Sequence, residues 1–148
     1  MDAIELIKKD HREVDELFTQ FLSAESDLTL EDLFQQIETS LRAHTEMEER
    51  AFYPTVRKFA AEKVDEALRE HSQVKELLEN LLDGDIDEEA FESQFHRLVE
   101  DVRHHVEEEE SPEGILELAR QHMNHEELAR LGAELQRIKQ EVEEDLAA

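Results

Sequence analysis

The sequence predicts an all-helical protein with five amphipathic helices. Its 148 residues include only three glycines, two prolines and no tryptophan, and residues that favour helices, such as glutamate, leucine and alanine, are abundant. Apolar residues recur every three or four positions along most of the chain, which is the spacing of one helix face. A chain of this length is expected to bury one core, so we predict a single domain over residues 1–148.

The first three helices are predicted from apolar stripes and from residues that typically begin or end helices. The first runs over about residues 2–22. The second is expected to begin at Thr29, which forms a capping box with Asp32, and to end or kink at Pro54. The third is expected to end at Gly84, because a glycine in the left-handed conformation often follows the last helical turn.

The last two helices are predicted in the same way. The fourth begins within residues 85–87 and meets a turn or helix restart at Ser-Pro-Glu-Gly, residues 111–114. Asn124 and Glu127 form a second capping box, which opens a final helix over about residues 124–146. The apolar spacing of this final helix is like that of a coiled coil. We expect it to pack on its own chain in a monomer, with a homodimer through this helix as the alternative.

The charge of the chain restricts its partners. Forty-one acidic residues against sixteen basic ones give a net charge of -25, which repels phosphates and anionic lipids, so we expect neither nucleic acid nor membranes as partners. The N-terminus has no apolar leader and no apolar run approaches membrane length, so we expect a cytoplasmic protein. There is no cysteine, so a metal site would have to use histidine and carboxylate.

One pattern of histidine and glutamate occurs twice, about sixty residues apart. A single histidine is followed 33 or 34 residues later by a His-x-x-x-Glu pair, and each histidine shares an apolar helix face. The residues are His11, His44 and Glu48 in the first copy and His71, His105 and Glu109 in the second. Burying these glutamates without a cation would be costly, so the pattern predicts a metal site, and its ligands suit iron, manganese or zinc.

This order of residues, together with the segment HTEMEERAFYP at residues 44–54, resembles the hemerythrin-like HHE cation-binding domains over about residues 1–115. The resemblance implies an up-down-up-down four-helix bundle, to which the final helix is an addition. It also implies two iron ions in a non-haem, oxo- or hydroxo-bridged centre, with zinc or manganese as alternatives. The four histidines would be terminal ligands, and Glu48 and Glu109 would bridge the metals.

Two departures from the oxygen-carrying members of that family bear on function. Lys75 stands where they have a fifth histidine, and Glu110 competes with Glu109 for the bridging role, in which we favour Glu109 because it mirrors Glu48. With four histidines each iron would keep one open position. On an ideal helix Tyr53 would lie about 140° from Glu48, so without a kink at Pro54 it is expected to point elsewhere.

The open positions favour a protein that binds, senses or reacts with O₂, peroxide or NO over a reversible oxygen carrier, with a small diatomic molecule or peroxide as its ligand. Enzymatic turnover of peroxide or O₂ is one form that this function could take. The alternative is an iron- or zinc-binding storage or buffering module without redox turnover. A metal-free helical interaction protein is a third hypothesis.

Four further histidines lie outside the pattern, of which His96 has acidic neighbours and is expected to be exposed. His104 shares a face with acidic residues and is expected on the surface, although a one-residue shift would exchange it with His105. His122 and His125 flank the predicted cap of the final helix and are expected to be structural, with a surface cation as the alternative.

Overall fold

The computed structural model describes residues 1–148 and contains helices but no strands, as the composition predicted. The helices are α1 (Ala3–Ser23), α2 (Asp27–Met47), a π-helical segment (Glu48–Phe52), α3 (Tyr53–Leu82), α4 (Glu88–Glu110), α5 (Ile115–His122) and α6 (His125–Ala147). The chain remains helical from α2 through the π-helical segment into α3.

The helices α1 to α4 form the predicted up-down-up-down bundle. Within it α1 packs on α2, and α3 packs on α4. The short α5 contacts α3 and α4, whereas α6 lies across α1, α2 and the π-helical segment. The final helix therefore covers its own bundle, as expected from its apolar stripe.

The buried apolar side chains form two clusters at different levels of the bundle. One cluster includes Ile7 and Phe52 and extends to α5 and α6. The other includes Phe18 and Phe95 and fills the opposite end, where five phenylalanines contact one another. The histidines of the repeated pattern fall between the two clusters along each helix, so polar groups occupy the middle of the core.

The predicted helix boundaries at Thr29 and Gly84 were wrong. α2 begins at Asp27 rather than Thr29, and the Asp27 carboxylate lies in the first turn, where it interacts favourably with the helix dipole. Gly84 does not have a positive φ, and α3 ends at Leu82. There the Asp83 side chain accepts a hydrogen bond from the backbone N–H of Asp85 at 3.0 Å, and this local turn replaces the predicted glycine cap.

The predicted starts of α4 and α6 were confirmed. Asn124 and Glu127 form the reciprocal capping box of α6, and Asp87 caps α4 by accepting from the N–H of Ala90. The predicted end or kink at Pro54 was wrong: Pro54 lies in the first turn of α3, and the chain stays helical through the wider π-helical segment that precedes it. α3 is instead kinked at Ala60, where φ is -144° and ψ is 38°. No helix combines the length and apolar character needed to cross a membrane.

The docking of α6 depends on Gly132. A Cβ atom at this position would lie 2.7 Å from the carbonyl oxygen of Met1 and 2.9 Å from the nitrogen of Ala3. These are backbone atoms at the start of α1, so they cannot be displaced cheaply.

We therefore expect Gly132→Ala to lower the free energy of unfolding by about 1–3 kcal/mol, because overpacking outweighs the better helix propensity of alanine. The measurement is urea denaturation followed by circular dichroism. Ala133→Gly, at an exposed position of the same helix, reports the propensity effect alone. A Gly132→Ala protein that is more stable than wild type would contradict this view of the contact.

Candidate metal centre

The four histidines of the repeated pattern meet in the middle of the bundle, one from each of α1 to α4. They form two pairs: the ring centroids of His11 and His44 are 5.0 Å apart, and those of His71 and His105 are 4.9 Å apart. Three of them are buried, and His44 has a side chain that is 12% exposed. The predicted inward orientation is thus confirmed.

The two glutamates of the pattern lie between these pairs, and we call them the central glutamates. Glu48 is fully buried, and its Oε1 is 3.1 Å from Nε2 of both His44 and His71. Glu109 has its Oε1 3.2 Å from Nε2 of His11 and its Oε2 3.2 Å from Nε2 of His105. Each central glutamate therefore contacts one histidine of each pair.

Several of these buried atoms have no hydrogen-bond partner. They are Nε2 of His11, Nε2 of His44, both carboxylate oxygens of Glu48 and Oε1 of Glu109. Leaving so many buried polar atoms unsatisfied costs free energy, and a cation between them would satisfy them.

The donor atoms fall into two groups able to hold a metal ion. Within each group they lie within 4.8 Å of one another: His11, His44, Glu48 and Glu109 in the first, and Glu48, His71 and His105 in the second. Imidazole and carboxylate in this proportion fit a first-row transition metal.

Four further carboxylates surround the histidines, and we call them the outer carboxylates. Each contacts the Nδ1 atom of one histidine: Glu110 with His11 at 2.6 Å, Asp10 with His44 at 3.0 Å, Glu49 with His71 at 2.8 Å and Glu70 with His105 at 2.6 Å. Because an ionised carboxylate can only accept hydrogen bonds, Nδ1 donates in each pair. Nε2 is then the nitrogen that faces the centre and can bind a cation.

The outer carboxylates were not predicted as partners of the histidines, although the repeat contains them. An acidic residue precedes the first histidine of each copy, at Asp10 and Glu70, and another follows each central glutamate, at Glu49 and Glu110. These acidic residues occur at equivalent positions in both copies, and this repetition could have identified them as partners of the histidines. Glu110 lies outside the centre, and Glu109 is the buried member of the two, as predicted.

The charges around the imidazoles raise their pKa values. Burial alone would lower the pKa of His44, but the charge of Glu48 and the hydrogen bond with Asp10 raise it to about 10. The pKa of His105 is raised to about 11, because the charge and hydrogen bond of Glu109 outweigh burial. In the absence of a cation, protons thus compensate the charge of the central glutamates.

Tyr53 is part of the centre, so the prediction that it points elsewhere was wrong. Its hydroxyl donates to Oε2 of Glu109 at 2.6 Å and lies 3.2 Å from Nε2 of His71 and 3.4 Å from Nε2 of His105. The π-helical segment is the reason, because its wider turn places Tyr53 one turn after Glu48, and the N–H of Tyr53 donates to the carbonyl of Glu48.

The tyrosine makes the two halves of the centre unequal. Its hydroxyl contacts His71 and His105 but neither His11 nor His44. Burial raises the pKa of Tyr53, and the charges of Glu109 and Glu48 raise it further, so the phenol stays protonated. The expectation of two equivalent metal positions is therefore replaced by an asymmetric centre.

Lys75, at the position of the missing fifth histidine, does not reach the centre. Its side chain is half exposed, and its Nζ atom lies 2.9 Å from Oε1 of Glu49, the outer carboxylate of His71. Lys139 from α6 has an analogous position, with Nζ 2.5 Å from Oδ1 of Asp10. Both lysines support outer carboxylates, and Lys139 links the added helix to the centre.

The histidines outside the pattern stay away from the centre. His104 is exposed and contacts Oε1 of Glu108 at 2.9 Å, as the surface prediction required. His122 stacks on Phe59 with ring centroids 4.5 Å apart, and His125 is the first residue of α6. The structure thus places His104, and not His122 or His125, near other metal-ligating side chains.

The end of α4 is held against the loop that follows it. A Cβ atom at Gly114 would lie 2.5 Å from the carbonyl oxygen of Glu109, so only glycine allows this close approach. The loop, residues 111–114, thereby covers the helix end that carries Glu109.

Two cavities of different character reach the centre. An apolar cavity of about 30 Å³ lies against all four imidazoles, and its walls include Val14, Leu41, Val74 and Val102. An acidic cavity of about 170 Å³ lies between α3, α4 and the following loop and reaches His105 and Glu109.

Comparisons with known proteins agree with this architecture. A protein of Nostoc sp. (strain PCC 7120 / SAG 25.82 / UTEX 2576) named DNA nickase is 29% identical over 147 residues, which are 99% of this chain but 41% of that protein. The chain thus spans about two fifths of that relative.

The structure of a hemerythrin HHE cation binding domain-containing protein from Mycobacterium kansasii, an Rv2633c homolog, has the same fold. It matches with a TM-score of 0.77 and 20% identity, over 98% of this chain and 89% of that one. The family model for the hemerythrin HHE cation binding domain matches residues 2–114. The chain belongs to the hemerythrin HHE cation-binding domain family.

Proposed function

We propose that the protein holds two iron ions and that this di-iron centre binds, senses or reacts with O₂, peroxide or NO. The observation that carries the proposal is the set of buried donor atoms without hydrogen bonds, arranged in two groups that share Glu48. In this arrangement His11 and His44 would hold one ion, and His71 and His105 the other. The central glutamates would bridge the two.

The apolar cavity supports a small ligand. A cavity of about 30 Å³ can hold a few atoms of the size of a water oxygen, so a diatomic molecule or peroxide fits. Its valine and leucine walls favour an uncharged ligand and keep bulk water away from the imidazoles. Bound iron would supply the redox chemistry at this position.

Tyr53 supports reactivity over storage. Its hydroxyl holds a proton at Oη beside His71 and His105 and donates it to Glu109 in a hydrogen bond. A buried phenol that stays protonated can donate a hydrogen bond to a reduced ligand, which a storage or buffering site does not need. Zinc or manganese in the same ligands, without redox turnover, is the second candidate.

The name of the Nostoc relative does not extend to the proposed function of this chain. Since the chain spans 41% of that protein, we propose that the shared region is a metal-binding part of it. A net charge of -25 would repel nucleic acid phosphates, so we propose no nucleic acid partner.

Metal analysis tests the binding of two ions. We expect about two equivalents of iron per chain in protein that is purified without added metal, on the basis of two donor groups. His44→Ala and Glu48→Gln should each lose metal and lower the melting temperature, because binding and folding are coupled. The matched control is His122→Ala, which should change neither quantity. Less than one equivalent in wild type, or equal contents in His44→Ala and His122→Ala, would contradict the proposal.

Replacing the phenol tests its role. Tyr53→Phe keeps all six proposed donors, so we expect it to retain the wild-type metal content. Oxidation of the ferrous protein by peroxide should become slower by at least about tenfold, because the hydrogen-bond donor is lost. Stopped-flow absorption of the ferric product measures the rate. Wild-type rates in a fully loaded Tyr53→Phe protein would show that the hydroxyl has no part in the reaction.

A further inference from the structure

We propose that divalent metal ions enter the centre through the acidic cavity between α3 and α4, and that Glu70, His104 and Glu108 at its mouth form the site that first binds them. This inference rests on the proposed metal centre and adds a route to it. We call these three residues the entry site.

The acidic cavity has the charge and size that a hydrated cation needs. Its volume is about 170 Å³, and the basic side chains among its lining residues are Lys63 and His105. Five carboxylates line it: Glu66, Glu70, Glu108, Glu109 and Glu113. A cleft lined by one sign of charge concentrates the opposite ion and raises its association rate.

The entry site offers the ligands that such an ion prefers. Nε2 of His104 is 2.9 Å from Oε1 of Glu108 and 3.9 Å from Oε2 of Glu70. One donor atom from each of the three residues lies within 4.8 Å of the others. An imidazole with two carboxylates binds first-row divalent ions.

Glu70 connects the entry site with the centre. Its Oε2 faces His104, whereas its Oε1 contacts Nδ1 of His105 at 2.6 Å. Its side chain is 19% exposed, between that of Glu108 at 40% and that of Glu109 at 4%. An ion that moves along these carboxylates exchanges water for carboxylate oxygen in steps, which avoids the cost of losing all its water at once.

The inner end of the cavity has an acceptor for the ion. Glu109 and His105 line it together, with Oε2 of Glu109 3.2 Å from Nε2 of His105. The other oxygen of Glu109, Oε1, is buried without a hydrogen bond and faces His11 at 3.2 Å. A cation that reaches Glu109 from the cavity would therefore pass towards an unsatisfied carboxylate oxygen that does not belong to the entry site.

A neighbouring cavity also reaches the centre but is much less acidic than the proposed entry route. It reaches His11, but its walls include Val14, Phe18 and Val102. Two carboxylates line it, and one of them, Asp15, is paired with Arg103 at 2.7 Å. A cation therefore gains less from this cavity than from the five carboxylates of the acidic cavity. Glu107 lines this second cavity on the same helix, so it supplies a matched control.

The test is the rate of Co²⁺ uptake by metal-free full-length protein, followed by the visible absorption of coordinated Co²⁺. We expect His104→Ala and Glu108→Gln each to slow uptake by about tenfold, the lower end of the effect of charge focusing. The final content should remain that of wild type, because the centre is intact. Glu107→Gln, with the same change of charge, should load at the wild-type rate.

The outcomes distinguish a wrong entry route from a wrong metal centre. If wild type loads fully and the entry-site variants load at the wild-type rate, the route is wrong and the proposed centre stands. If Glu107→Gln slows uptake as much as Glu108→Gln, general surface charge explains the rate and the route is again wrong. If wild type takes up no Co²⁺, the proposed centre fails and the route fails with it.

Discussion

The structure depends on the burial of two carboxylates in the middle of a helical core. Glu48 and Glu109 lie where a bundle of this size would ordinarily place leucine, and together they are among the most costly side chains to bury. Four imidazoles face them, four outer carboxylates orient the imidazoles, and the apolar core is divided into two clusters around this centre. These features are those of a site able to hold cations, which would share the buried negative charge.

The centre is built twice, yet it is not symmetric. The two copies of the pattern supply matching histidines, central glutamates and outer carboxylates. Some contacts lie within a copy, such as that of Asp10 with His44. Others join the two copies, such as that of Glu49 with His71. One feature breaks the symmetry. Tyr53 adds a hydroxyl to one half, whereas a lysine contacts an outer carboxylate in each half: Lys75 contacts Glu49, and Lys139 contacts Asp10. In the proposed di-iron centre the two positions would therefore differ in chemistry.

Helical periodicity was enough to predict the centre but not its details. The faces of His11, His44, His71 and His105 follow from a period of 3.6 residues, which long regular helices keep. Tyr53 was missed because a single π turn shifts the face of every following residue, and its presence depends on packing rather than on local sequence. The Gly84 cap failed because the Asp83 side chain supplied a competing turn. Lys75 was correctly predicted to leave the centre without a fifth histidine. Its contact with Glu49 was not predicted, because the periodicity of a single helix does not show which residues of other segments a side chain will meet.

The proposed centre holds two metal ions, one at each histidine pair, and the central glutamates bind both ions. Anomalous diffraction at the iron absorption edge, from crystals of the iron-loaded protein, tests it most directly. The account predicts two peaks about 3.5–4 Å apart, one beside His11 and His44 and the other beside His71 and His105, with Glu48 and Glu109 between them. A single peak, or peaks confined to the surface at His104 and Glu108, would contradict it.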